Sequence, residues 1–107
     1  MRSSPGCVVP SPPSGSWHLV GFEEAVDRWV DREKPTIDLQ FVVGEWILSR
    51  FDDPYEGMQR EPAFANLWYG AIPETEFQGQ VVVCSYFVEE REHRVSCDGF
   101  ATLSLPI

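Results

Sequence analysis

Lysine occurs once in this chain, at Lys34, and basic residues of both kinds number eight against seventeen acids, for a formal charge of −9. All the acids and seven of the bases follow Ser16, so that stretch carries a formal −10. Such a field repels phosphate backbones, because nonspecific nucleic-acid affinity comes largely from Lys and Arg displacing counterions. Nucleic acid is therefore not an expected partner. Cysteine is scarce and odd in number: Cys7, Cys84 and Cys97 show no C-x-x-C spacing, which argues against a disulfide scaffold or a zinc knuckle. The thiols are expected to stay reduced. No apolar run approaches the roughly 18 to 20 residues that cross a bilayer, and Met1 to Ser16 lacks the apolar centre of a signal peptide. A cytoplasmic protein without membrane contact is expected. The chain also lacks a glycine-rich phosphate cradle, an H-E-x-x-H and a G-x-S-x-G, so no catalytic residue, metal or cofactor is assigned.

Apolar side chains, by contrast, are plentiful: 43% of the 107 residues are hydrophobic and 13% aromatic, with four Trp and seven Phe. That is enough to build one core, and too little chain for two. Residues 1–16, with Pro5, Pro10, Pro12 and Pro13 among Ser and Gly, read as an extended arm, and residues 17–107 as a single α+β domain. Trp17 to Val20 predicts a short edge strand before Gly21. Phe22, Ala25, Val26, Trp29 and Val30 fall at i, i+3, i+4, i+7 and i+8, one face of a helix that Pro35 stops. Thr36 to Phe51 carries two patterns at once. Ile37, Leu39, Phe41 and Val43 alternate as in a strand, whereas Leu39, Val42, Val43, Trp46 and Ile47 have helical spacing; the length favours a helix capped by Thr36. Residues 55–62 read as a polar loop.

Three strand-like runs follow, at 65–72, 80–88 and 93–103, and predict a three-stranded antiparallel sheet with bulges or bends at Gly70 and Gly99. A turn at Glu89 to Glu92 predicts Val88 opposite His93, Tyr86 opposite Val95 and Cys84 opposite Cys97. One face then carries Val82, Cys84, Tyr86, Val88, Val95 and Cys97. Val81, Val83, Ser85, Phe87, Arg94, Ser96, Asp98 and Phe100 form the other, partly exposed or facing a partner. Cys84 and Cys97 read as small packing residues, and His93 as a solvated turn residue. Arg60, Trp68, Tyr69, Phe87, Arg94 and Phe100 are the candidate binding residues, since Arg and aromatic side chains dominate binding hot spots.

Trp17 to Trp29 (WHLVGFEEAVDRW), Trp46 to Pro54 (WILSRFDDP), Leu67 to Pro73 (LWYGAIP) and Val81 to Val95 (VVVCSYFVEEREHRV), in the order strand, two helices, loop and three strands, resemble the RelE/ParE toxin superfamily of bacterial toxin–antitoxin modules. The resemblance implies that fold. In its mRNA-cleaving members, basic side chains project from the central strands and an aromatic or basic residue near the C-terminus completes the site. Here Leu67 to Ile72 and Val81 to Val83 hold no Lys or Arg, and Phe100, in the terminal position, cannot donate a proton. The resemblance therefore carries the fold and not the nuclease. The expected role is a non-enzymatic protein-binding or self-associating domain, a diverged toxin–antitoxin or accessory protein, whose partner is another protein or a second copy in a homodimer. Beside it stand a ParE-like toxin that inhibits a protein target such as a topoisomerase, and a small enzyme or ligand binder using Tyr69, Tyr86, His93 or Asp98; the small-molecule ligand of this last reading is unspecified.

The charge balance generates a first prediction. Titrated with single- or double-stranded nucleic acid at about 150 mM salt, the folded chain shows no saturable binding, and any association at low salt falls steeply as salt is added. Tight binding at the higher salt, lost on changing Arg60 or Arg94, is the contrary result.

Overall fold

A computed structural model describes residues 16–106; the Pro-rich arm and Cys7 lie outside the described residues. The elements are β1 (His18–Val20), α1 (Phe22–Glu33), α2 (Ile37–Ser49), β2 (Gln59–Arg60), β3 (Leu67–Ala71), β4 (Gln80–Glu89) and β5 (Arg94–Ser104). Short 3₁₀ turns occupy Pro73–Thr75 and Glu90–Glu92. The strands form one five-stranded mixed sheet in the order β1-β5-β4-β3-β2, with β1 parallel to β5 and every other pair antiparallel. The predicted three-stranded sheet was therefore incomplete. β2 is two exposed polar residues with no alternation to announce it, and it exists because the chain doubles back beside Trp68 and Tyr69. β1 joins at the far edge through tertiary contact alone.

Local chemistry explains the helices. Gly21 takes the left-handed conformation, φ 79°, that a side chain would resist, and its carbonyl accepts the Ala25 N–H. Lys34, also left-handed, closes α1 by donating its N–H to Val30. Thr36 caps α2 by accepting the Leu39 N–H at 3.2 Å, so residues 37–49 are one helix. Both helices lie on the same face of the sheet. Phe22, Ala25 and Trp29 from α1 and Val43 from α2 pack on Val82, Cys84, Tyr86, Val88, Val95 and Phe100.

The β4–β5 register corrects the sequence reading. The turn takes four residues, Glu90 to His93, with His93 left-handed at φ 54°, so Glu89 pairs with Arg94, Val88 with Val95 and Tyr86 with Cys97. An even slip of two preserves the faces, but the next step does not. Ser85 pairs with Gly99, leaving Asp98 as the extra residue of a β-bulge, which reverses the alternation beyond it. Phe100 consequently points into the core opposite Cys84, only 3% exposed, rather than outward as predicted. Cys84 and Cys97 are diagonal neighbours rather than an opposed pair, and both carry free thiols. Burial, with the adjacent Cys97 thiol, pushes the Cys84 thiol well up. Gly70 is no bulge. It pairs regularly with Cys84, and a Cβ there would lie 2.6 Å from the Gly57 carbonyl and the Met58 sulfur, so glycine is required by close approach of the neighbouring turn.

Glu33, at the end of α1, fastens the helix to β5. Its carboxylate accepts bonds from the Thr102 N–H and hydroxyl and from Trp29 Nε1. Burial disfavours the charge, but these bonds and nearby Arg32 outweigh it and hold the carboxyl below its ordinary value. A depressed folded-state pKa means stabilisation that is present above about 4.5 and lost as pH falls through the folded value. Urea unfolding at pH 7 and pH 3 should therefore show a smaller acid loss in Glu33→Gln than in the parent. Trp29, with no exposed surface, lies under the same joint, and Trp29→Ala is expected to cost about 3 to 5 kcal/mol by the same method. An unchanged midpoint in Trp29→Ala would remove α1 from the core.

Candidate binding surface

The double pattern read at 36–51 has a structural origin. Leu39, Val43, Trp46 and Ile47 of α2 face the core, while Ile37, Phe41 and Leu48 are 64%, 69% and 62% exposed. A helix apolar all round is usually buried on all sides; this one is covered on one side only. The exposed positions Ile37, Phe41, Gly44 and Leu48 of α2, with Phe51 in the turn that follows it, recur at intervals of four, three, four and three residues. That is the spacing of the contact seam between two packed helices. At its centre, a Cβ built on Gly44 meets nothing within 4 Å, so the seam is low enough in the middle for another backbone to approach.

Between this seam and α1 runs a groove of about 370 Å³, lined by Leu19, Phe22, Val26, Gly44, Ile47, Leu48 and Phe51 with Glu23 and Asp27 at its border. The charged residues that line it, Glu23 and Asp27, are both acidic. α2 contains Asp38 and Glu45 and no basic residue, and Glu23 and Glu24 open α1. The apolar strip is thus flanked by carboxylates.

The residues proposed from sequence do not form one site. Tyr69, Phe87 and Arg94 share the helix-free face of the sheet. Phe87 sits opposite Leu67 and Ser96, the Tyr69 hydroxyl meets the Gln59 side chain at 3.3 Å, and Arg94 is occupied by Glu89 at 2.7 Å. Arg60 and Trp68 are paired across β2 and β3 with their side chains on the core side; exposed Arg60 meets the Ala65 carbonyl, and half-buried Trp68 packs edge-on against Tyr55. Phe100 is in the core. The residues of the ligand-binding alternative also diverge: Tyr86 is fully buried with its hydroxyl donating to the Pro54 carbonyl, and Asp98 accepts from Ser85 at 2.9 Å. His93 is not a solvated turn residue, being half-buried and stacked on Trp17 at 3.9 Å. Among the described residues, no three His, Cys, Asp or Glu gather as for a metal ion, and no helix is long and apolar enough to cross a membrane.

Two features escaped the sequence reading. The α2 seam was legible as the surplus of apolar residues that made 36–51 fit both periods. The other is Arg50, which sequence marks only as an isolated base. It is 3% exposed and lies over the Trp46 ring at 4.5 Å. Its guanidinium donates to the Glu56 carbonyl at 2.7 Å, to Ser49 Oγ at 2.9 and 3.1 Å, and to the Tyr86 hydroxyl at 3.4 Å. Burial raises the Tyr86 phenol to about 12 despite this cation. No family model, curated protein or solved structure matches the chain.

Proposed function

We propose that the domain is a non-enzymatic protein-binding module whose partner lays an amphipathic helix with basic flanks along the outer seam of α2. The observation that carries this reading is the exposed 4-3-4-3 apolar row from Ile37 to Phe51 beside the α1–α2 groove. Exposed apolar area of this kind marks interaction surfaces, and helix-in-groove recognition uses anchors at such spacing. Charge then selects among occupants. In a two-fold pair of copies through this seam, Asp38 and Glu45 would face a surface of their own sign, and an anionic membrane would meet the same repulsion. A partner helix with Lys or Arg beside its apolar row pairs with them instead. The RelE/ParE-like reading suits such a module, a diverged toxin or accessory protein in which Leu67 to Ile72 and Val81 to Val83 hold no Lys or Arg.

The test uses the full chain and two synthetic helical peptides of about 20 residues, each with a Leu seam, one flanked by Lys and the other by Glu. Calorimetry should give binding of the Lys-flanked peptide only. Phe41→Asp and Leu48→Asp, at positions already in water, should leave thermal stability nearly unchanged and weaken the peptide by roughly tenfold or more. Equal binding of both peptides, or a two-chain solution mass that either substitution reverts to one, overturns the reading.

A further inference from the structure

Arg50 is a buried cation with no acid of its own. Among the described residues the only ion pairs are Arg32 with Glu33 and Arg94 with Glu89. Neutral oxygens and the Trp46 ring surround the guanidinium, and of its five N–H groups four are used, leaving one on the terminal nitrogen bonded to Ser49. Burying a charge without a counter-charge is costly, and here the charge borders open space. Arg50, Trp46 and Ser49 line a cavity of about 330 Å³, completed by Glu56, Gly57, Ala71, Pro73 and Glu74. That lies within the roughly 300 to 1,000 Å³ of small-molecule sites.

The backbone adds polar groups. The Glu61 N–H bonds to the Leu67 carbonyl, and Tyr69 is paired with Gln59, so alternate residues of β3 from Leu67 turn their backbone groups toward β2. β2 ends at Gln59, which leaves the N–H and carbonyl of Ala71, the next in that series, without a strand beside them at the cavity wall. The charges of the lining decide the ligand class. The lining carries one guanidinium and two exposed acidic residues, Glu56 and Glu74. A simple anion would meet one attraction and two repulsions, whereas a molecule with both a carboxylate and an ammonium answers all three.

We infer that this cavity binds a small zwitterion, a free amino acid with an apolar side chain. Its carboxylate meets Arg50, its ammonium meets Glu56 and Glu74, and its side chain lies against Trp46 and Pro73, beside the Ala71 backbone. The site is separate from the α2 seam. The probes are L-leucine, 4-methylpentanoate and 3-methylbutylamine, which keep one apolar body and vary the charges. They are titrated to about 10 mM while the Gly57 and Ala71 amides and the Trp46 indole N–H are followed by NMR. Leucine should give saturable shifts at these three groups, with the acid and the amine each roughly tenfold weaker. Arg50→Met should abolish the shifts. Because that change also removes bonds to Glu56 and Tyr86, the companion variant is Glu74→Gln at an exposed position, which should keep the fold and weaken leucine several-fold without weakening the acid. Absence of saturable shifts, an acid that binds as tightly as leucine, or unchanged leucine affinity in Glu74→Gln overturns the assignment.

Discussion

A line of aromatic contacts runs through the core and everything else is hung on it. Trp29 of α1 packs on Phe100 of β5 at 6.1 Å, Phe100 on Phe22 at 6.5 Å, Phe22 on Tyr86 of β4 at 5.9 Å, and Tyr86 on Trp46 of α2 at 6.4 Å. Aromatic side chains bury more area per residue than the Val, Ala and Cys packed around them. The line closes only because the Asp98 bulge reverses the alternation of β5 and brings Phe100 inward. Without the bulge, Trp29 would face a gap and Phe100 would face water.

Placing both helices on one face has a consequence for α2. Its inner side meets the aromatic line through Trp46 and Val43, and its outer side is left with Phe41, Leu48 and Ile37 in solvent. The C-terminal end of the helix is then secured from below by Arg50, whose guanidinium bridges Ser49, the Glu56 carbonyl and the Tyr86 hydroxyl. One residue thus joins helix, loop and sheet. The same arrangement leaves its charge without a carboxylate and at the wall of a cavity, so the device that anchors the helix also supplies a polar feature to the surface.

The acidic surplus acts differently at the two places. Around the α2 seam it is uniform, with Glu23, Asp27, Asp38 and Glu45 surrounding apolar side chains, and it selects the charge of whatever covers them. At the Arg50 cavity it is opposed by a buried cation, so the local field changes sign over a few residues. A net charge describes neither place, because short-range fields are set by the groups that line a surface and by the dielectric around them.

What sequence alone determined is what local chemistry determines. The helix periods, the turn at Gly21 before α1, the stop at Pro35, the Thr36 cap, the edge strand at His18–Val20 and the strong alternation of β4 follow from side chains a few residues apart, and so were legible. Even the exposed α2 seam was written in its residues, as an apolar excess that no single period could absorb. The tertiary structure alone decided the rest. The pairing of β1 with β5, the existence of β2, the four-residue turn at His93, the bulge that buries Phe100 and the meeting of Arg50 with Tyr86 depend on groups distant in sequence. Their energies arise only when the chain has closed on itself, and strand register in particular can slip by two residues without changing which local pattern the sequence displays.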